Sequence, residues 1–201
     1  MTNANILPIA LLLIVTFLLP LESSSFSFLT QPQRTQLKDQ ILDLSKQTNR
    51  GLTATPEQQE EMQTLFSKLE KLNPTKKPLK GQLVNGEWNL DYTTSDSILG
   101  KGGFPRVGPI VQVIDTNTLY AENREVVSYF GFIPVPRKVT AALSPQSDQL
   151  TDVQFKRFSL GPVGFDAPES FKGYLDVTYL DEDLRLTRGD KGNIFVLTRM
   201  R

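Results

Sequence analysis

The chain has 201 residues, 39% hydrophobic and 22% charged, with Lys+Arg and Asp+Glu equal at 22 each, the length of one ordinary domain with an appendage. It contains no histidine and no cysteine, which excludes Ser-His-Asp triads, His general bases, His- or Cys-ligated metals, thiol nucleophiles, iron–sulfur clusters and disulfides. Balanced charge also argues against a nucleic-acid partner, which calls for a basic excess or stripe; carboxylates, Lys, Tyr or Ser could still carry chemistry, but the expectation moves to a non-enzymatic binding or structural protein without a cofactor.

"MTNANILPIALLLIVTFLLPLESSS" (1–25) sets a polar tip before an apolar run from Ile6 to Leu21. That run is shorter than the roughly 20 residues that span a bilayer comfortably. Ser23 to Ser25 follow, small residues at which a signal peptidase would cut. Residues 1–25 are therefore expected to be a cleaved signal peptide, with a retained membrane anchor as the alternative; the tip lacks the usual Lys or Arg. "FSFLTQPQRTQ", from Phe26, is rich in Ser, Thr and Gln and has no acid. Residues 26–34 resemble the short transit region that follows the signal peptide in algae with complex plastids. The resemblance implies entry into a plastid, with secretion as the alternative.

Two helices come next, over 35–78. From Gln33 to Thr48, Leu37, Ile41 and Leu44 fall at i, i+4 and i+7 with Leu42 beside them, a narrow helical stripe. "NRG" (49–51) ends it, with Gly51 suited to a left-handed position. In "TPEQ", Thr55 is placed as N-cap, Pro56 at the first helical position and Gln58 where a capping box needs it. Met62, Leu65, Phe66, Leu69 and Leu72 form the second stripe, and "NPTKKP" (73–78) stops the helix.

From Gly81 the period changes to two. In "GEWNLDYTT", Trp88, Leu90 and Tyr92 share one face. "PIVQVID" (109–115), "TLYAEN" (118–123), "REVVSYFGF" (124–132), "KVTAAL" (138–143), "DVQFKRF" (152–158) and "YLDVTYL" (174–180) follow. Many short strands with turn residues between them predict an antiparallel sandwich or barrel over 79–201. A closed barrel is favoured because one face of most strands is apolar and the other mixed. The fold class is mainly β (α+β).

The chain closes with "YLDEDLRLTRGDKGNIFVLTR" (179–199). As a hairpin, Leu184, Leu186 and Arg188 share one face and Arg185 and Thr187 the other. "GDKG" (189–192) is turn chemistry, its two glycines tolerating positive φ around Asp190. Arg185 or Arg188 would pair with Asp181 or Asp183 at the corner. An anion site built from the arginines, or paired carboxylates for acid–base work, are the functional alternatives, but no base or phosphate loop accompanies them. "GKGG" (100–103) lacks the full phosphate-loop pattern and reads as a loop.

"LVNGEWNLDYTTS", "GPIVQVID" and "GYLDVTYLDEDLRLTRGDKGNIFVLTR" resemble the plastid lipid-associated protein (PAP)/fibrillin family over residues 36–199. The closing motif is the specific part: Asp181, Arg185, Arg188, Gly189, Asp190, Gly192, Phe195 and Arg199. The resemblance implies a lipocalin-like β-barrel after a helical pair, carrying an apolar small molecule or coating lipid bodies (plastoglobules) and thylakoid membranes. "GEW" (86–88) has the form of the first lipocalin strand, where an Arg from the last strand covers the Trp; Arg199 or Arg188 would do so here. An apolar lumen in a small barrel suits one hydrophobic ligand. Its candidate lining is Trp88, Leu90, Tyr92, Val153, Phe155, Leu175, Val177 and Tyr179, each equally well explained as core filling.

"VVSYFGFIPVP" (126–136) is apolar on both faces and Pro-rich at its end, which predicts a barrel rim with Phe130 and Phe132 as candidate lipid contacts. The implied partners are a prenylquinone, carotenoid or fatty acyl lipid and, peripherally, a plastid membrane or lipid-body surface. The alternative is a protein partner: a scaffold supporting an isoprenoid- or quinone-pathway enzyme. No catalytic residue and no metal are expected.

Overall fold

The computed structural model describes residues 24–100 and 105–201. The targeting segment expected over 1–25 lies outside them apart from its last two residues, as does most of the "GKGG" loop. Helix α1 spans Ser24–Gln47 and so begins well before Gln33. It passes through Pro32, whose fixed φ is itself helical and whose ring removes one backbone N–H bond. The stretch expected as a transit region forms the first turns of this helix. Asn49 and Arg50 turn to positive φ and Gly51 reaches +95°. A Cβ at Gly51 would also stand 2.4 Å from the Thr93 carbonyl oxygen, so glycine is required twice over. Helix α2 spans Pro56–Glu70. The Gln58 amide donates to Thr55 Oγ1 at 3.3 Å and the Thr55 amide to Gln58 Oε1 at 3.0 Å, the reciprocal cap that the sequence predicts.

The strands are β1 (Gly86–Thr93), β2 (Arg106–Asp115), β3 (Tyr120–Tyr129), β4 (Ile133–Pro145), β5 (Leu150–Leu160), β6 (Val163–Asp166), β7 (Lys172–Leu180), β8 (Leu184–Gly189) and β9 (Ile194–Arg199). One helical turn, α3 (Asp96–Leu99), follows β1. Eight strands close into an antiparallel barrel in the order β1–β2–β3–β4–β5–β7–β8–β9, β9 pairing back onto β1. "TLYAEN" and "REVVSYFGF" are one continuous strand, β3, because nothing between them turns the chain. Strand β6 pairs only with β5. Its "VGFD" sits among Gly and Pro residues that hid it from the periodicity.

Two apolar cores result. The barrel interior holds Trp88, Leu90, Ile110, Ile114, Leu143, Val153, Val177, Leu180 and Leu197. Outside it, the stripes of α1 and α2 cover one wall, packing Ile41, Met62, Phe66 and Leu69 with Leu184, Leu186, Ile194 and Val196. Two of the predicted lumen residues belong to this outer core: Tyr92 and Tyr179. Their strict alternation is broken by β-bulges, between Leu90 and Tyr92 on β1 and between Val177 and Tyr179 on β7. One extra residue reverses the facing of everything beyond it. On β7 the bulge is held by Asn73, whose amide donates to the Thr178 carbonyl and whose Oδ1 accepts from the Leu180 amide.

The closing hairpin is tied differently from the pairing predicted. Asp181 accepts from Lys38 Nζ at 2.8 Å, Tyr179 Oη at 2.7 Å and the amides of Asp183 and Leu184. Arg188 reaches outward to Glu70 of α2 with two bonds of 2.7 and 2.8 Å and lies over Phe66. Arg185 points the other way, into the barrel, where neither corner acid can follow. In the turn only Gly192 takes positive φ, together with Lys191. Gly189 is extended and needed for space, since its Cβ would meet the Phe195 ring at 2.7 Å.

Tyr92 Oη is buried without a hydrogen-bond partner among the described residues, whereas Tyr179 Oη is bonded to a carboxylate. Urea midpoints should therefore separate two equal deletions: Tyr92→Phe leaves stability unchanged or raises it by up to about 1 kcal/mol, and Tyr179→Phe lowers it by about 1.5–3 kcal/mol. Burial opposes the charge on Asp181, but its hydrogen bonds outweigh this and hold its pKa below the usual carboxylate value. A group with a depressed folded pKa contributes stability above its unfolded value of about 3.9 and loses it as pH falls through the folded one. Asp181→Asn should flatten the acid limb of the stability profile below about pH 4, as read by unfolding titrations.

Candidate functional site

At one end the barrel is sealed around Trp88, which is fully buried. The alternation of β1 sends the indole inward, opposite Gln112 of β2 and Arg199 of β9. Its Nε1 donates to the Val84 carbonyl at 2.9 Å, and the two short turns at 78–84 bring Leu79, Leu83 and Val84 beneath it. The Arg199 guanidinium lies 4.2 Å from the ring centroid and donates to the carbonyls of Glu182, Asn85 and Leu83. The last-strand arginine over the tryptophan is thus Arg199; Arg188 is on the outer wall.

A second guanidinium, Arg185, lies 4.9 Å from the same ring. It is fully buried, donates through Nη2 to Gln112 Oε1, and Gln112 in turn donates to Asn123 Oδ1 at 3.1 Å. Burial, helped by the nearby positive charge of Arg199, brings the Arg185 guanidinium down to about 9. Nearer the mouth, Arg106 and Arg137 share Glu125. Of this polar belt the sequence singled out Arg185, in the closing motif and a candidate anion site, but neither Gln112 nor Asn123. Parity carried the signal: Gln112 alternates with Ile110 and Ile114, two members of the inner core.

Of the predicted lining, Trp88, Leu90, Val153 and Val177 are buried in the interior, and Phe155 and Leu175 pack against them part-exposed, joined by Phe195. Tyr92 and Tyr179 are absent from it for the reason given above. Two outer hollows, one of about 190 Å³ between Gly51 and Leu99 and a shallower one along α2, lie away from this interior. Among the described residues no group of three or more acidic side chains is placed to hold a metal.

The opposite end of the barrel carries exposed apolar side chains on its tips. Strand β3 turns into β4 through Phe130 and Gly131, both at positive φ (+51° and +79°), closed by a bond from the Phe132 amide to the Tyr129 carbonyl. The register pairs Tyr129 with Ile133, so Phe130, Gly131 and Phe132 make a three-residue hairpin loop, and Phe130 and Phe132 stand at a tip and not within a strand. They are 80% and 76% exposed. Pro134 and Pro136 lie beyond the last β4–β5 pair, Arg137 opposite Leu160, where a missing N–H leaves no ladder bond unmade. The β5–β6 tip sits alongside, its Gly161 amide donating to the Pro136 carbonyl, and adds exposed Val163 and Phe165. A row of ring contacts joins rim to interior: Phe155 to Phe158 at 6.2 Å, then Phe158 to Phe165 at 5.5 Å and to Phe171 at 5.8 Å.

Trp88→Ala should lower the unfolding free energy by about 3–5 kcal/mol, since a buried aromatic is lost and the cavity between two arginines cannot collapse. The check is a denaturant titration followed by circular dichroism, the single tryptophan being gone.

A family model described as PAP_fibrillin matches residues 35–198. The probable plastid-lipid-associated protein 5, chloroplastic, of Arabidopsis thaliana is 37% identical over 172 residues, covering 84% of this chain and 70% of that protein. The light-induced protein, chloroplastic, of Solanum tuberosum is 29% identical over 217 residues (81% and 67%). The plastid lipid-associated protein 2, chloroplastic, of Brassica campestris is 28% identical over 217 residues (81% and 68%). No solved structure matches. These relatives are chloroplastic, which supports a plastid location. A barrel closed around a buried tryptophan, ending in the Arg-Gly-Asp hairpin, therefore has its place among known proteins: the chain belongs to the PAP/fibrillin family.

Proposed function

We propose that this protein attaches peripherally to a plastid membrane or lipid-body surface through the apolar rim of its barrel and shelters a hydrophobic small molecule in the interior. The observation that carries the reading is the β3–β4 tip. A phenylalanine at positive φ is uncommon and unfavourable, yet Phe130 is held there with its ring in water. Nothing in the folded chain gains from that arrangement; an apolar phase would. The neighbouring tip adds Val163 and Phe165, giving one contiguous patch of the kind that marks a membrane or protein contact. Exposed Lys156 and Lys172 stand on the strands beside it, positioned to meet anionic headgroups at an interface.

The names of the relatives, plastid-lipid-associated proteins, support the lipid side of this reading. The phenylalanine row joins the rim to the interior, an apolar track for a molecule leaving the lipid phase. Phe155, Leu175 and Phe195 are only partly buried and can swing aside to admit it.

Phe130→Ser together with Phe132→Ser tests the attachment. The pair contributes on the order of 3 kcal/mol if each ring enters lipid in part, so the folded double variant should partition about a hundredfold less onto vesicles of neutral lipid with a minor anionic component. Flotation measures it, with thermal melting to show that the fold is kept. Normal flotation of a folded variant would remove the lipid contact and leave the rim to a protein partner, such as an enzyme that the barrel scaffolds.

A further inference from the structure

Most of the interior is accounted for by packing. Arg185 is not. It is fully buried, and among the described residues no carboxylate lies within ion-pair distance of it. The nearest charge on the same indole is Arg199, of like sign. Its Nη2 is bonded to Gln112, but Nε and Nη1 have no hydrogen-bond partner among the described residues. The next inward residue on β8, Thr187, is also buried with its hydroxyl unpartnered. Unpaired buried charge is strongly unfavourable, and unmade donors add to the cost. A purely structural role would not call for it: the tryptophan is already covered by Arg199, and an apolar side chain of similar volume would fill the space without the penalty.

We infer that Arg185, with Thr187 beside it, is a recognition site inside the barrel for the carboxylate of a long-chain amphiphile of the fatty-acid class. The inference rests on the proposed binding of a hydrophobic molecule in the lumen and names its head group. Three geometric points favour it. The register places Arg185 inward, opposite Leu180 and Leu197 of the inner core. A guanidinium offers a planar fork that matches two carboxylate oxygens, and a hydroxyl adjacent to it supplies a further donor. A neutral ketone or quinone oxygen would accept one bond and leave the charge uncompensated. Glu125, toward the mouth, does not compensate it, being already shared by Arg106 and Arg137. The tail would then run from the Arg185 belt past Phe195, Leu175 and Phe155 toward the rim, head inward.

The test uses the full chain with oleate and methyl oleate, which differ only in the charge of the head. Trp88 is the only tryptophan and lies against Arg185, so its fluorescence reports binding at this place. Wild type should bind oleate about tenfold or more tightly than the ester. Arg185→Met should bring oleate to the affinity of the ester, leave the ester unchanged, and melt at the same or a higher temperature. Arg185→Lys should recover part of the preference, the charge being kept and the fork lost. Equal affinity of wild type for the two ligands, or undiminished oleate binding by a folded Arg185→Met, overturns the inference while leaving an apolar lumen intact. If Arg185→Met does not fold, the wild-type ratio and its reduction in Thr187→Val decide. Binding of neither ligand to wild type overturns the lumen reading and this one with it.

Discussion

The backbone bonds between β4 and β5, from Arg137 opposite Leu160 to Pro145 opposite Thr151, join the two ends of what would otherwise be an open sheet. An open sheet of this length would leave two edges able to pair with other chains. Closure removes most of that edge, β6 taking up the part of β5 that β7 leaves, and divides every barrel strand into an inner and an outer face. The division then decides what each side chain does. Inner positions must fill or line a small volume, while outer positions must be covered or wet.

One wall is covered. The stripes of α1 and α2 lie over β1, β7, β8 and β9, and their core is as dry as the lumen's. Covering that wall takes aromatic surface from the strands, which the two bulges supply by turning Tyr92 and Tyr179 outward. Arg188 completes the attachment by holding Glu70 and lying on Phe66. Among the described residues no helix lies over the opposite wall, of β3 to β6, and its tips carry the exposed rings. The molecule thus has a covered wall on one side and exposed apolar tips on the other, the asymmetry on which the proposed attachment rests.

The two arginines on Trp88 divide structural and binding work. Arg199 has three backbone carbonyls to hold, an arrangement complete without any further molecule. Arg185 has one amide oxygen and spare donors. Both side chains come from the same hairpin and both contact the same ring, yet only one is saturated. That asymmetry is the ground for reading Arg199 as a brace and for inferring a site at Arg185.

By itself the sequence determined the helical pair, the capping box at Thr55, the run of strands, the burial of Trp88 and the Pro-rich rim, because each rests on local pattern: a 3.6 or 2 residue period, a cap, a missing N–H. It also excluded chemistry that needs histidine or cysteine. Tertiary structure decided the rest. The facing of Tyr92 and Tyr179 depends on bulges held by partners far along the chain, Asn73 in the case of β7, and alternation cannot see an inserted residue. Strand β6 exists because β5 offers it a free edge and Phe158 a ring to pack on. The unpaired state of Arg185 is the furthest from local reading: acids two and four positions away in sequence stand outside the barrel wall, and only closure of the sheet puts the guanidinium on the other side of it.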